Sequence, residues 1–168
     1  MKIQPAHRNQ HPQGGFTLVE LMVSIVVVAI LISIAIPSYT SQIRKSRRTE
    51  AKTALLALAG REERYFSTNS AYTNDASRLG YDTASKVLFQ YPIGSNYYNI
   101  SVCVADAGAA IPATCTTSPA ADNTGASYLL EATPISTGPQ SKDLLCGSFT
   151  LDNTGIQSST GTQTTGCW

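Results

Sequence analysis

The chain has 168 residues, with 12 Lys and Arg against 11 Asp and Glu, and 42% of it is apolar; that length allows one ordinary globular domain. The near-zero net charge argues against a dedicated nucleic-acid binder, and a composition with 14% charged residues argues against a disordered tail protein. The apolar residues are so unevenly spread that a plain soluble domain is excluded as well.

Residues 1 to 15 contain Lys2, Arg8, two His and two Pro but no acidic residue, and read as a basic targeting leader. From Phe16 to Ile36, 17 of 21 residues are apolar, the exceptions being Thr17, Glu20, Ser24 and Ser33. As a helix this run is roughly 31 Å long, which matches the hydrocarbon thickness of a bilayer. A secretory signal peptide has a shorter apolar stretch and then a small-x-small cleavage site. Here the run continues into Ile36-Pro37-Ser38-Tyr39 and then Arg44, Lys45, Arg47 and Arg48, whereas the polar leader stops at Gly14-Gly15.

The junction Gly15-Phe16-Thr17-Leu18-Val19-Glu20-Leu21-Met22 resembles the processing site of type IV prepilins, in which a short basic leader ends in Gly, an aromatic residue follows, and a Glu lies four residues on. Pro37 falls where pilins carry a helix-kinking proline. The resemblance covers residues 10 to 70 strongly and the remainder by general layout. It implies cleavage between Gly15 and Phe16 by a prepilin peptidase at the cytoplasmic membrane face, with N-methylation of Phe16 by the same enzyme. It also implies an α+β type IV pilin fold, in which a long kinked N-terminal helix packs on a small antiparallel sheet.

Glu20 has a physical reading of its own. A carboxylate in an apolar membrane helix costs about 2.5–3.5 kcal/mol on insertion scales and calls for a partner. Cleavage would create an ammonium at Phe16 that can neutralise Glu20 of the same subunit or of a neighbour; the resemblance implies the neighbour, with the pair fixing the stagger of successive subunits. The alternative is that Glu20, five residues into the helix, snorkels to water. Counting basic residues on either side of the run would put the C-terminus in the cytoplasm. The cysteines, which need an oxidising space, and the pilin resemblance both argue for a head outside.

Beyond Pro37, Ile43, Arg47, Ala51, Ala54, Leu55, Leu58, Glu62, Tyr65 and Phe66 recur at three- and four-residue steps, so this half-helix is amphipathic and can dock on a sheet. The cluster Ser67-Thr68-Asn69-Ser70 ends it, and Pro37 is expected to bend the helix or let it melt locally. Arg44, Lys45, Arg48 and Lys52 lie within a sector of about 100°, with Arg47 to one side. This basic stripe reads either as a phosphate-binding surface or, preferably, as a solvated neck against lipid headgroups or acidic groups of neighbouring subunits. Residues 66 to 92 read as an irregular connection. Strands are expected at Tyr97 to Val104, where Ile100, Val102 and Val104 share a face, at Tyr128 to Thr133 and at Gly147 to Leu151. Asp152-Asn153-Thr154-Gly155 is then a turn before a short return strand from Ile156. The organisation is a leader over 1–15, a transmembrane or filament-core helix over 16–37, its amphipathic continuation over 38–68, and a sheet-bearing head over 69–168.

The four cysteines, all in the head, admit three pairings. Local pairs, Cys103 with Cys115 and Cys146 with Cys167, are favoured because they close loops of 11 and 20 intervening residues. The second resembles the C-terminal disulfide-bounded loop of type IV pilins, and Cys146-Gly147 with the terminal Cys167-Trp168 looks most like PilE-type minor pilins. No CxxC spacing supports zinc, and both His residues lie in the leader. No phosphate-binding loop or nucleophile elbow is present, so the chain reads as a non-enzyme without cofactors. Asp152 to Gly155 as a calcium site, the pseudopilin reading, ranks below the hairpin turn.

The reading is a subunit of a type IV pilus, major or minor, for twitching motility, adhesion and, as a further role, DNA uptake. Its partners are other pilin subunits, the prepilin peptidase, an inner-membrane assembly platform with its ATPases, and the membrane itself. It is expected in the bacterial inner membrane with a periplasmic head before assembly and in the extracellular pilus afterwards. One alternative is a type II secretion pseudopilin. The other, a DNA-receptor minor pilin, ranks low because the head from Thr53 has only Arg61, Arg64, Arg78, Lys86 and Lys142 against nine acidic residues.

Overall fold

A computed structural model describes residues 15–82, 86–115, 123–163 and 165–168. Apart from Gly15, the basic leader lies outside the described residues. The chain divides into two compact units, Met1–Ser41 and Gln42–Trp168. One helix, α1 (Leu18–Asn69), contributes to both.

In the first unit α1 starts behind Thr17, whose Oγ1 accepts the Glu20 amide at 3.2 Å, an N-cap contact that satisfies one of the free N–H groups of the first turn. The helix is continuous through Pro37, which lies inside it. Pro37 supplies no amide to the Ser33 carbonyl, and Ser33, Thr40 and Ser41 each direct a hydroxyl onto a carbonyl three residues back. The apolar residues of this stretch are exposed around the whole circumference, as in a helix whose partners are lipid or other helices.

In the second unit the spacing of α1 puts Ala51, Leu55, Leu58 and Glu62 on one face, all fully buried. The two leucines each contribute about 1.5–3 kcal/mol by leaving water. The last turn is closed by side chains: Asn69 Nδ2 donates to the Tyr65 carbonyl at 2.9 Å and Thr68 Oγ1 to that of Arg64 at 3.2 Å. Ser70 then turns left-handed with φ of 54° and stops the helix.

The sheet is antiparallel throughout, in the order β2 (Tyr91–Ile93), β3 (Tyr98–Ala105), β5 (Ser127–Pro134), β6 (Phe149–Asp152), β7 (Gln157–Ser159). A two-stranded ribbon pairs β1 (Tyr72–Thr73) with β4 (Thr124–Gly125). Alternation decides what each face meets. Ile100, Val102, Leu130, Ala132, Phe149 and Leu151 join the helix core, while Cys103 and Leu129, directly opposite each other in the register, form a second cluster with Cys115, Phe89 and Ile111. The centre of the sheet is thus covered by α1 on one face and by the 103–115 loop on the other. The return strand begins at Gln157, one residue beyond the expected Ile156, and the Asp152 turn precedes it. Within the irregular 66–92 connection, β1 and β2 are too short for periodicity to reveal.

Candidate functional site

Three groups of residues carry the chemistry. At the start of α1, Gly15, Phe16 and Glu20 are all exposed, Phe16 at 85%. The Thr17-x-x-Glu20 pattern is a capping-box signature, and Thr17, a residue the sequence analysis above assigns no role, is the cap. Glu20 therefore lies in the first helical turn, where a negative charge is favoured by the helix dipole.

The second group is the basic neck, and here the expectation of a solvated stripe needs correction. Arg47 lies with its guanidinium carbon 3.8 Å from the Tyr97 ring centre, a cation–π contact. Arg48 makes a bidentate pair with Asp143, Nε to Oδ2 and Nη2 to Oδ1 both at 2.6 Å, with the two side chains 12% and 1% exposed. Asp143 Oδ2 also accepts Gln140 Nε2 at 2.8 Å, and the same amide reaches the Tyr98 hydroxyl at 3.1 Å. The Asp143 hydrogen bond pushes Arg48 further up, and burial pushes the Tyr98 hydroxyl up to about 12. Lys52 Nζ lies 5.9 Å from the Phe149 ring centre, so three of the five neck cations are turned onto the head. Arg48 ties α1 to Asp143 at the end of the 3-10 helix Pro139–Lys142, just ahead of the C-terminal disulfide loop, while Arg47 ties it to the turn between β2 and β3.

Both disulfides are formed, Cys103 with Cys115 and Cys146 with Cys167. The second closes a loop in which Gly161, Thr162 and Gln163 donate their amides to the carbonyls of Cys146, Leu144 and Leu145 at 2.9–3.0 Å. A Cβ at Gly161 would run into the Leu145 carbonyl, so only glycine allows this approach. In the turn, Asp152 Oδ1 accepts the Thr154 amide, the Thr154 hydroxyl and the Ile156 amide. Burial alone would raise the Asp152 carboxyl, but these donors outweigh it and hold it low. Among the described residues no group of His, Cys, Asp or Glu has the arrangement to hold a metal ion.

The third group was not foreseen from net charge. Arg61 and Arg64 on the last turns of α1 and Arg78 in the turn after β1 line an open cleft of about 640 Å³, together with Tyr65, Asn69 and Gly80. Arg61 Nη1 donates to the carbonyls of Leu79 at 2.7 Å and Gly80 at 3.1 Å. Arg78 Nη1 donates to the Tyr65 hydroxyl at 2.9 Å, and its Nε pairs with Asp75 Oδ2 at 3.2 Å. Among the described residues the Arg64 guanidinium makes no hydrogen bond or ion pair, leaving it available to an anion. Gly80 takes a left-handed φ of 75°, which favours glycine, and a Cβ there would lie 3.0 Å from Arg61 Nη1. Lys86 and Lys142 do not line the cleft.

Comparison with known proteins gives this architecture its family. The chain is similar to the type IV major pilin protein PilA of Myxococcus xanthus strain DK1622, 39% identical over 67 residues that make up 40% of this chain and 30% of that protein. It is also similar to the type II secretion system core protein G of Dickeya chrysanthemi, 34% identical over 68 residues, 40% of this chain and 44% of that one. The chain thus spans less than half the length of these curated relatives. Among solved structures, a type IV pilin from Shewanella oneidensis is similar at 24% identity and a TM-score of 0.41, over 74% of this chain and 97% of the other. Residues 10–36 match the prokaryotic N-terminal methylation motif. Residues 37–150 match the family described as type IV minor pilin ComP, DNA uptake sequence receptor. Since that match covers well over half of the chain and follows directly on the methylation motif, the chain belongs to the ComP-type minor pilin family of type IV pilins.

Proposed function

We propose that the chain is a subunit of a type IV pilus. Prepilin peptidase removes the leader after Gly15 and methylates the Phe16 amine; the apolar half of α1 anchors the subunit in the inner membrane with its head in the periplasm. The assembly platform and its ATPases then draw it into a helical homo- or heteropolymer used for adhesion and twitching motility. The carrying observation is the wholly exposed apolar stretch of α1 with one carboxylate, Glu20, in its first turn. Such a surface needs lipid or other helices as its solvent, and the carboxylate needs the Phe16 ammonium of a neighbour. Glu20→Val should leave the protein in the membrane fraction and abolish its recovery in sheared pili; normal recovery overturns the role of Glu20.

A second reading, a DNA receptor within the pilus, is favoured by the family match over residues 37–150 and by the three arginines around one cleft. Guanidinium groups suit phosphate oxygens, and the half-buried Tyr65 beside them adds an aromatic edge to the cleft. Arg64→Glu should weaken binding of duplex DNA to the full chain at least tenfold and flatten its salt dependence. Unchanged affinity and salt slope would remove this reading while leaving the pilus subunit intact.

A further inference from the structure

Glu62 lies fully enclosed on the inner face of α1. Its Oε2 accepts the Thr73 amide of β1 at 3.1 Å, and its Oε1 is buried without a hydrogen-bond partner. An ionised carboxylate has about four acceptor sites, so burying one with a single donor is unfavourable, and the neutral acid is the form that suits this site. The titratable and charged groups facing it are Glu63 from the same helix, Tyr72 from β1 and Tyr128 from β5, and none of them is a cation. Both tyrosine hydroxyls are turned to Glu63 Oε1, at 3.1 and 3.4 Å. Burial pushes the Glu62 carboxyl up to about 8; the Thr73 amide opposes this and the nearby Glu63 adds to it.

The contact does not stop at β1. Thr73 Oγ1 accepts the Asp75 amide at 3.1 Å, and Asp75 Oδ2 pairs with Arg78 at 3.2 Å. A chain of contacts therefore runs from Glu62 through Thr73 and Asp75 to the arginine that forms one wall of the cleft. We propose that Glu62 is a proton-operated latch: protonated, it seats β1 on α1 and sets the arginine cleft, and losing its proton releases the segment from Thr73 to Gly80. The regulatory half of this proposal rests on the DNA reading, while the latch itself does not.

The sign follows from linkage. A carboxyl raised when buried and ordinary when opened to water favours the closed state at low pH. Opening becomes about tenfold easier per pH unit between the ordinary carboxylate range and the raised value, and then levels off. The chain has no histidine beyond residue 11 to confuse the range.

The test is site-resolved hydrogen exchange on the full chain in detergent micelles, corrected for intrinsic amide chemistry, at pH 6 and pH 8. Protection of the Thr73 and Asp75 amides should fall about fiftyfold in the wild type and stay level in Glu62→Gln. A flat wild type, or an equal fall in the variant, overturns the latch. Infrared detection of a protonated carboxyl in the Glu131→Gln background, present at pH 6 and lost by pH 9, tests the same claim without altering Glu62; its absence at pH 6 also overturns it. Affinity for duplex DNA that drops from pH 6 to 8 in the wild type alone supports the regulatory half. No affinity at either pH, with the exchange pattern as expected, removes the DNA reading and its regulation while supporting the latch.

Discussion

Removing Arg48 should destabilise the head far more than its position in a basic neck suggests. Its guanidinium is bound by two 2.6 Å hydrogen bonds to a carboxylate that is 1% exposed. In Arg48→Ala that carboxylate keeps only Gln140 as a donor and stays buried with its charge uncompensated. Breaking a buried pair from one side costs about 3–5 kcal/mol. For a domain of this size that amounts to a drop in melting temperature of roughly 10–20 °C. The two partners are not equivalent. The Arg48 side chain is 12% exposed and ends a flexible stem, so Asp143→Ala lets it turn to water and should cost about half as much. Melts of the full chain in micelles, followed by near-ultraviolet circular dichroism, measure both losses. A loss below about 1 kcal/mol for Arg48→Ala, or a loss for Asp143→Ala larger than that for Arg48→Ala, would refute the assignment of this pair as a buried anchor.

Cys167→Ser should lower stability by about 3 kcal/mol, the loop-closure contribution for a loop of this length, and early proteolysis between Cys146 and Trp168 should accompany the thermal shift. Glu131 is 4% exposed and accepts the Cys115 amide at 2.6 Å; burial raises its carboxyl, with that amide opposing. A raised acid stabilises fully below the ordinary carboxylate range and loses that contribution as pH rises through the raised value. Glu131→Gln should therefore flatten the decline in melting temperature towards alkaline pH, and an unchanged slope would contradict the burial argument. Calcium or a chelator should leave the melting temperature within about 1 °C, because Asp152 Oδ1 already accepts three donors from its own turn; a large stabilisation by calcium would revive the pseudopilin reading.

The elements that sequence patterns reveal are those with long periods or fixed local chemistry. The 3.6-residue period places Ala51, Leu55, Leu58 and Glu62 on one face, and they are the buried face of α1. Two-residue alternation finds β3 to within a residue, and the Asp152 turn follows from its residue types. The pairings that span the chain leave no such trace. Arg48 and Asp143 are 95 positions apart, and nothing in the spacing of either announces the other. The arginine cleft was hidden for a different reason: a count of five basic against nine acidic residues treats charge as spread evenly. Left-handed Ser70 and the turn from Ala76 to Gly80 fold Arg78 back onto the last turns of α1, beside Arg61 and Arg64. The capping role of Thr17 is legible in the Thr17-x-x-Glu20 spacing, which precedes the apolar run directly.

The division of the cations bears on how the two functional readings can coexist. With Arg47 stacked on Tyr97 and Arg48 buried against Asp143, the neck offers fewer free charges to acidic lipid or to phosphate than its sequence promises. Such a helix surface can be sequestered in a filament without sacrificing an anion-binding site. The arginine cleft is built where α1 ends, with walls from the last helical turns and the turn after β1, so the guanidinium groups proposed to meet DNA are separated in sequence from the apolar stretch proposed to drive assembly. Glu20→Val and Arg64→Glu should accordingly behave as independent lesions, the first removing the subunit from pili without changing DNA affinity in micelles, the second the reverse. Loss of both properties in either single variant would mean that assembly and anion binding share one surface, and would overturn the assignment of separate residues to each.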